Sequence, residues 1–513
     1  MPSKTFKLYT LKDVDYDAVI AKYRELCESG IREITDDGIT FDKISDPQYI
    51  VKKEPRKPLM DDTRIRNKAI FLLHTIIYRQ QTSRENNEDG AALQASVLQA
   101  VLKNDCFELL TALVELGYIE RTSYYIIGKT SRRYRAIGET ATEQCSNATI
   151  QKYISHSKRL LNDMITARLS SAAFVKEYGE GFAERYALNL NRFHIKDEKG
   201  FEEFASQRIK NNPDTEAYYD FVRDTFKSKL KIYKIDDNNR IYHILTSLKR
   251  ELKQYVNIRY SIDCSNSHPL LFNYFIFISK KVSISTAYTI SSILSSISPS
   301  ILAEPSNNLH YDIQYLRNKL INNGVRKSDI AKLEDDELLY LWKTTTGTFW
   351  DDILAEHQNE GYDRAEIKVK MFGEVFYSKT PKIAWKSFAK EFKSQYPNVY
   401  ELILRWKEPQ YYDDIKAVLL RRNKALKLGE RVIIVGEAST ALPRVMMELE
   451  SVIFKEILTT LFRKRICAVH IHDAIIIPEV KSTEKLDAAR IQEVMRETYK
   501  RFGLHPTFKV EFY

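Results

Sequence analysis

Apolar and polar positions along residues 92–137 change from a helical to an alternating pattern. Leucines recur on one helical face after Asp105, which can cap a helix, and before Gly117, which can end one. Two runs rich in β-branched and aromatic residues follow, with Gly128 and Lys129 between them. Because such runs around a short turn are typical of a β-hairpin, the pattern predicts helices followed by a hairpin.

Helices followed by a basic hairpin are typical of a winged helix, and we assign residues 86–140 to a winged-helix-like module with its own small core. Cations on the turn and second strand of the hairpin could lie along a phosphate backbone. The alternative is a small helical subdomain whose hairpin is merely solvated. The candidate nucleic-acid contacts are Lys129, Arg132, Arg133 and Arg135.

The rest of the chain divides by composition into three segments. Residues 1–85 are highly charged, and the run KKEPRKP at 52–58 holds two prolines that interrupt regular structure, which predicts a linker. Residues 141–255 are helical in pattern, polar, and rich in Lys, Arg, Tyr and Phe, without a catalytic signal. Residues 256–513 contain three stretches with candidate chemistry.

The first stretch is NIRYSIDCSNSHPLLFNYF, in which an alternating apolar run predicts a strand that ends near Asp263. Pro269 can open the helix that follows. A carboxylate at a strand end, near free backbone carbonyls, is a place to hold Mg²⁺. An Asp ahead of a helix is also a common N-cap, so this stretch by itself leaves both roles open.

The second stretch is RAEIKVKMFGEVF, in which Arg364 and Lys368 lie one turn apart on a predicted helix. Such a pair suits a triphosphate, because Arg can fork onto one phosphate while Lys neutralises another as a point charge. An ordinary solvated cationic helix face has the same spacing. The motif alone therefore does not distinguish an anion clamp from a solvated surface.

The third stretch is KRICAVHIHDAIIIPEV, in which two apolar runs flank His472 and Asp473. This pattern predicts a hairpin with polar residues at its tip. A carboxylate at the junction of two buried strands costs desolvation energy unless a metal or another cation compensates it. The competing hypothesis is a zinc-hydrolase site with His470 and His472 as ligands, for which no convincing third ligand is found.

Composition and charge limit these interpretations. The 513 residues are 43% hydrophobic, which is enough for several cores, and the net charge of +10 permits a nucleic-acid partner without requiring one. The five cysteines are odd in number and far apart, so neither a disulfide framework nor a CxxC zinc site is expected. With no apolar run long enough for a membrane span and no signal-peptide core, we expect a soluble, cytoplasmic protein without a membrane partner.

The three stretches, in this order, resemble the family A nucleic-acid polymerases and the related single-subunit phage-type RNA polymerases. Asp263 is similar to the metal-binding Asp of motif A. His472 and Asp473 are similar to the His-Asp pair of motif C. Arg364 and Lys368 match the Arg and Lys of the fingers helix, spaced R-x-x-x-K.

The resemblance covers roughly residues 255–480, in three islands, and departs from the family at several positions. Phe372 matches an aromatic residue of motif B, but Phe376 stands where the family has a Tyr. Bacterial DNA polymerases of the family carry a Glu where this chain has His268, and Ala474 replaces a Glu that often follows motif C. Compact viral and transposon polymerases vary at these points, so a mobile-element or viral type is implied.

The fold implied by the resemblance is α+β and mostly helical. It is a right-hand polymerase with an antiparallel β palm, helical fingers and thumb, and the N-terminal winged-helix-like module. Residues 141–255 would form a helical thumb or linker region, and residues 256–513 the palm and fingers. A proofreading exonuclease is not expected, because the N-terminal half lacks the strand set of such a domain.

The implied activity is that of a nucleotidyltransferase, a DNA-directed DNA polymerase with DNA template and primer, nucleoside triphosphates and replication proteins of a mobile element as partners. Asp263 and Asp473 would hold two Mg²⁺ ions, with Mn²⁺ as a substitute. Lys368 would assist the departing pyrophosphate, and Arg364 would hold the terminal phosphates. The alternatives are an RNA polymerase or primase of the same fold and a non-catalytic winged-helix replication initiator.

Other positions would contact the nucleotide or the nucleic acid. Phe372 and Phe376 would pack against the incoming base pair. His268 would crowd the sugar at C2′, which favours dNTPs, although its ring can also donate a hydrogen bond. His472 would approach the primer end. Arg444 would contact nucleic acid, or else stabilise its own helix through an ion pair one turn further on.

Overall fold

A computed structural model describes residues 5–35, 49–52, 55–82, 90–123, 133–235, 240–298, 309–357, 360–378, 388–408, 441–479 and 487–513. These residues form a mostly helical α+β protein with small antiparallel sheets, as the sequence predicts. Within these ranges, the structure contains no helix that is both long and apolar enough to cross a membrane.

The α-helices, in chain order, are α1 Tyr16–Ser29, α2 Asp62–Thr82, α3 Ala95–Leu102, α4 Cys106–Glu115, α5 Ala148–Leu169, α6 Ala172–Tyr178, α7 Phe182–Leu190, α8 Glu198–Asn211, α9 Glu216–Lys227, α10 Ile244–Ser247, α11 Ser267–Ser279, α12 Ile284–Ser295, α13 Leu309–Asn322, α14 Lys327–Ile330, α15 Asp335–Thr346, α16 Phe349–Glu356, α17 Arg364–Met371, α18 Phe388–Gln395, α19 Pro397–Arg405, α20 Ala441–Arg463 and α21 Ala488–Lys500. Short 3₁₀ turns span Lys103–Asp105, Pro213–Thr215 and Arg250–Tyr255. A π-helical turn, Phe372–Phe376, directly continues α17.

The strands are β1 Phe6–Leu11, β2 Ile31–Thr35, β3 Tyr49–Lys52, β4 Ala91–Ala92, β5 Ile119–Ser123, β6 Arg133–Ala136, β7 Thr140–Cys145, β8 Ile232–Ile235, β9 Ile241–His243, β10 Ile258–Cys264, β11 Val469–Ile471, β12 Ala474–Pro478 and β13 Phe508–Phe512. In the N-terminal part, β1 pairs with β7 and β2 with β3, while β4, β6 and β5 form a three-stranded antiparallel sheet in that order.

The chain forms two compact units whose limits differ from the predicted domains. The first unit contains Met1–Ala172, His194–Lys234 and Ser247–Tyr255. The second contains Ala173–Phe193, Ile235–Thr246 and Val256–Tyr513. Two pieces of the predicted 141–255 region therefore belong to the second unit, and that region is not one domain.

One hydrophobic core serves the predicted segments 1–85 and 86–140. Leu72 of α2 is fully buried in the same cluster as Leu98 of α3 and Leu109 of α4. An amphipathic helix is stable only where its apolar face is covered, and here helices from both segments cover each other. The expectation that the 86–140 module has a separate core is therefore wrong.

The predicted helix end and hairpin are both observed. Helix α4 ends before Gly117, whose φ of 76° lies in the left-handed region that glycine adopts without strain. Strands β5 and β6 then pair antiparallel. Gly128, Lys129 and Arg132 lie outside the described residues, whereas Arg135 pairs with Glu120 across the hairpin.

Arg133 donates to the carbonyl of Gly90 at 3.5 Å, so its described contact is with the protein's own backbone. Together with the Arg135 ion pair, this means that Arg133 and Arg135, the two described residues among the candidate nucleic-acid contacts of the hairpin, take part in contacts within the first unit. Both contacts lie within or next to the three-stranded sheet.

Asp105 does not cap α4 through its side chain but forms a buried ionic cluster. Its carboxylate accepts hydrogen bonds from Lys68, from Arg56 at 2.9 Å and from the Tyr23 hydroxyl at 2.6 Å. Burial alone would raise the pKa of Asp105, but the bonds from Lys68 and Tyr23 outweigh it and lower the pKa. The segment around Arg56, predicted as a linker, is thus held against the core.

Asp105→Asn should destabilise the protein by about 3 kcal/mol, because it leaves the Lys68 ammonium, whose side chain is 3% exposed, without its carboxylate. Since the Asp105 pKa is lowered on folding, its contribution to stability is present above the unfolded pKa and is lost as the pH falls. Urea unfolding of the full chain between neutral and acid pH measures both effects.

The matched control is Asp17→Asn, which removes an exposed pair with Arg66 that should contribute no more than about 1 kcal/mol. Equal shifts in the urea midpoint for Asp17→Asn and Asp105→Asn would show that the buried cluster is not the stabilising element. If Asp105→Asn lost as much stability in acid as the wild-type protein does, Asp105 would not be the source of the predicted pH dependence.

The second unit is built on a four-stranded antiparallel sheet in the order β11-β12-β10-β13. Ile262 of the central strand β10 lies opposite Ile475 on one side and Val510 on the other. After β10 the chain passes through Asn266, in the left-handed region at φ 56°, into the almost fully buried helix α11. That helix begins at Ser267, slightly before the predicted Pro269.

Candidate active site

Asp263 and Asp473 reach one cavity from neighbouring strands. Asp263 lies near the end of β10, and Asp473 lies in the turn between β11 and β12. Asp263 stands opposite Ala474, and the Cys264 N–H donates to the Asp473 carbonyl oxygen at 3.1 Å. Both Asp residues line an open cavity of about 530 Å³. The tertiary structure therefore joins two carboxylates that are far apart in the sequence.

These two carboxylates repel each other, and both residues are only partly exposed to water. Burial, followed by the nearby Asp263 and Glu450 carboxylates, raises the pKa of Asp473 well above its usual range. A divalent cation would relieve this repulsion, and Mg²⁺ is commonly held by one or two carboxylates together with water and substrate phosphates. Three or more clustered His, Cys, Asp or Glu side chains that could hold a metal are not found in the described part. The pair could hold a divalent cation such as Mg²⁺ if water or a substrate supplied the remaining ligands.

The cations of α17 line the same cavity. The helix begins at a capping box between Asp363 and Glu366, which places Arg364 in its first turn and Lys368 in its last. The Arg364 Nε donates to Asp351 of α16 at 2.9 Å. Burial, followed by the Arg364 charge, lowers the pKa of Lys368. The predicted anion clamp therefore faces the cavity that contains the carboxylate pair.

The π-helical turn after α17 changes which aromatic residue reaches the site. A π turn contains one more residue than an α turn, so side chains beyond it are rotated around the helix axis. Phe372 lines the cavity. Phe376 is fully buried and packs against Phe272 and Phe392, so its assignment to the nucleotide surface is wrong. Tyr377 instead stacks on Phe372, with ring centroids 4.8 Å apart.

His268 lines the cavity and is held by partners that the sequence patterns did not indicate. Its Nδ1 contacts the Tyr377 hydroxyl, and its Nε2 lies 3.3 Å from Glu450 Oε1. Glu450 also pairs with Arg240. Burial alone would raise the pKa of Glu450, but the His268 hydrogen bond and the Arg240 charge together lower it. The two partners therefore favour the ionised form of the buried Glu450 carboxylate.

The two histidines of the third stretch have different surroundings. His472 is exposed at the hairpin tip, with a left-handed φ of 52°, and lines the cavity. His470 Nδ1 lies 3.1 Å from the Tyr186 hydroxyl, and burial lowers the pKa of His470 to about 3. His470 is not among the described residues that line the cavity with Asp473. This arrangement does not support a shared zinc site.

Arg444 lies in α20, and its side chain is outside the part that the structure describes. Further cavity residues were missed by sequence reasoning because they lie on α16, on α20, on β13 and just before β9, and no spacing links these places in the chain. They include Arg240, Trp350, Asp351, Glu450 and Lys509. Lys509 lies opposite Asp263 in the pairing of β10 with β13, which only the sheet topology could reveal.

No protein-family model matches this chain, and no curated protein matches it in sequence. The functional interpretation therefore depends on the cavity itself. Its described lining includes a carboxylate pair, two cations from α17 and the aromatic ring of Phe372.

Proposed function

We propose that this protein is a template-directed nucleic-acid polymerase of the family A type, and specifically a DNA-directed DNA polymerase. The observation that carries the proposal is the single cavity in which Asp263 and Asp473 face Arg364 and Lys368. Nucleotidyl transfer needs both the carboxylate pair and the pair of cations. Negative charge develops on phosphoryl oxygens at the reacting end and on the pyrophosphate that leaves. In this proposal the β11-β12-β10-β13 sheet is the palm, and α17 belongs to the fingers.

Asp263 and Asp473 would hold Mg²⁺ as ligands and not act as bases. When bound, Mg²⁺ lowers the pKa of the attacking hydroxyl and neutralises phosphate charge. Arg364 is placed to grip the terminal phosphates, and Asp351 holds its guanidinium in position until they arrive. Lys368, whose pKa is lowered by burial, is placed to donate a proton to the departing pyrophosphate.

Phe372 and His268 supply the nucleoside side of the cavity. Phe372 is backed by the stacked ring of Tyr377 and by Trp350, which lies 5.5 Å away between ring centroids. A rigid aromatic face of this kind suits packing of a base pair. His268 is bulky enough to crowd C2′ of the sugar, which supports dNTPs as the substrates.

The first unit supports a nucleic-acid-binding role through its element order. Helix α2, strand β4, helices α3 and α4, and strands β5 and β6 follow one another, with a three-stranded antiparallel sheet in the order β4-β6-β5. We propose that these elements form a winged-helix module that binds duplex DNA. The same observation favours a second candidate function, a replication initiator in which this module acts and the cavity is inert.

Primer extension by the full chain tests the proposal. A labelled primer on a DNA template is incubated with Mg²⁺ and either dNTPs or NTPs. We expect template-directed extension with dNTPs. Efficient extension with NTPs alone would indicate an RNA polymerase or primase, and duplex binding without any incorporation would favour the initiator.

A further inference from the structure

The position of His268 identifies the part of a nucleotide that it faces. His268 lines the same cavity as Asp263, and its ring lies 5.7 Å from that of Phe372 between centroids. In a nucleoside triphosphate the sugar connects the phosphates to the base. On the proposed function, phosphates lie near Asp263 and the base near Phe372, so His268 faces the sugar.

Both ring nitrogens of His268 are engaged by the protein. Nδ1 contacts the Tyr377 hydroxyl, and Nε2 lies 3.3 Å from Glu450 Oε1. The side chain of Glu450 is only 5% exposed and pairs with Arg240, while the Ser267 hydroxyl donates to it at 3.4 Å. These contacts fix the imidazole ring from two opposite ends.

The charge of Glu450 decides where the His268 proton resides. An ionised carboxylate only accepts hydrogen bonds, so Nε2 must carry the proton that points at Glu450. In the neutral ring Nδ1 is then an acceptor, and the Tyr377 hydroxyl donates to it. Neither nitrogen is then available to hydrogen-bond a ligand. The ring therefore presents carbon atoms, and no N–H group, to the cavity.

We propose that Glu450 and Tyr377 are positioning residues that fix the tautomer and orientation of His268, so that His268 excludes a ribose 2′-hydroxyl by bulk without offering it a hydrogen bond. This inference rests on the proposed polymerase function. A 2′-hydroxyl at this surface loses its water and gains no partner, which is costly, whereas a deoxyribose loses nothing. Selectivity for dNTPs should therefore depend on residues that do not themselves touch the sugar.

Single-nucleotide incorporation measures this selectivity as the ratio of kcat/KM for a dNTP to that for the matching NTP. Glu450→Gln lets the side-chain amide donate to Nε2 and frees the ring to change tautomer, and Tyr377→Phe removes the hydroxyl at Nδ1. Each variant should lower the ratio about tenfold, mainly through better use of NTPs. His268→Ala should lower it further. Glu448→Gln, the same change on the same helix, is the control and should leave the ratio unchanged.

A second measurement does not depend on activity. Spectra of protein labelled with ¹⁵N-histidine, with His268→Asn used for assignment, should show His268 with its proton on Nε2 in the wild-type protein. Glu450→Gln should alter that signal and Glu448→Gln should not. If Glu450→Gln does not fold, Tyr377→Phe still tests the selectivity.

The outcomes distinguish a failure of the inference about His268 from a failure of the proposed polymerase function. A wild-type enzyme that extends primers, with selectivity in Glu450→Gln and Tyr377→Phe within about twofold of the wild type, would overturn this inference and leave the polymerase function standing. A His268 Nε2 that carries no proton in the wild-type protein would overturn this inference as well. No extension with either kind of nucleotide would overturn the polymerase function, and the inference with it.

Discussion

Asp263→Asn and Asp473→Asn should each reduce nucleotide incorporation by at least about a thousandfold, which corresponds to about 4 kcal/mol of transition-state stabilisation. A neutral amide binds a divalent cation poorly, and the two carboxylates converge on one cavity, where a divalent cation would relieve their repulsion. Steady-state primer extension in Mg²⁺, with folding checked by circular dichroism, measures the loss.

Binding of the primer-template should remain largely intact in both variants, because contacts to the phosphate backbone are made by other residues. Asp335→Asn is a matched control, since Asp335 pairs with Arg317 on α13 and does not line the cavity. Extension by either catalytic variant at a rate within a few-fold of the wild type would remove the basis for assigning the sheet as a palm.

Lys368→Ala should lower kcat/KM for nucleoside triphosphates by about one to two decades, the effect of losing one charge-assisted contact of about 1.5–3 kcal/mol. Lys368 lines the cavity, and its ammonium lies 5.8 Å from the centre of the Trp350 ring, which holds it there. Because the lost contact would be made to the triphosphate of the incoming nucleotide, binding of the template should change little. Titration of dNTP concentration in primer extension gives the two kinetic constants.

Lys370→Ala provides the comparison on the same helix. Lys370 lies over the Tyr362 ring at 4.8 Å and is not a lining residue of the cavity, so its removal should have little effect on kcat/KM. Equal effects of the two substitutions, or none for Lys368→Ala, would mean that α17 presents an ordinary cationic face.

The local parts of the site followed from sequence spacing. Strand alternation placed Asp263 at the end of β10, and two apolar runs placed Asp473 at a hairpin turn. Helical spacing placed Arg364 and Lys368 on neighbouring turns of α17. These predictions hold because backbone geometry over a few residues determines which side chains share a face or a turn.

Sequence spacing could not decide whether Phe376 or Tyr377 is the aromatic residue that reaches the site. A regular helix would carry the residue eight positions after Lys368 onto the cavity side, but the π turn shifts the register by one residue. Tertiary contacts accompany that turn: Phe376 fills the core, and Lys407 donates to the Val375 carbonyl at 2.6 Å. Whether a helix adopts such a turn depends on packing against other elements, which spacing does not encode.

Only the tertiary structure decided which residues that are far apart in the sequence meet at the site. Glu450 and Ser267 lie 183 residues apart, and no periodic pattern connects α20 with the start of α11. The same holds for Arg240, which reaches Glu450 from beside strand β9. The sequence determined which residue types each element presents, because side-chain direction follows local dihedral angles. The partners that contact the two ring nitrogens of His268 were determined by packing, because burial and charge compensation depend on elements that meet only in the folded chain.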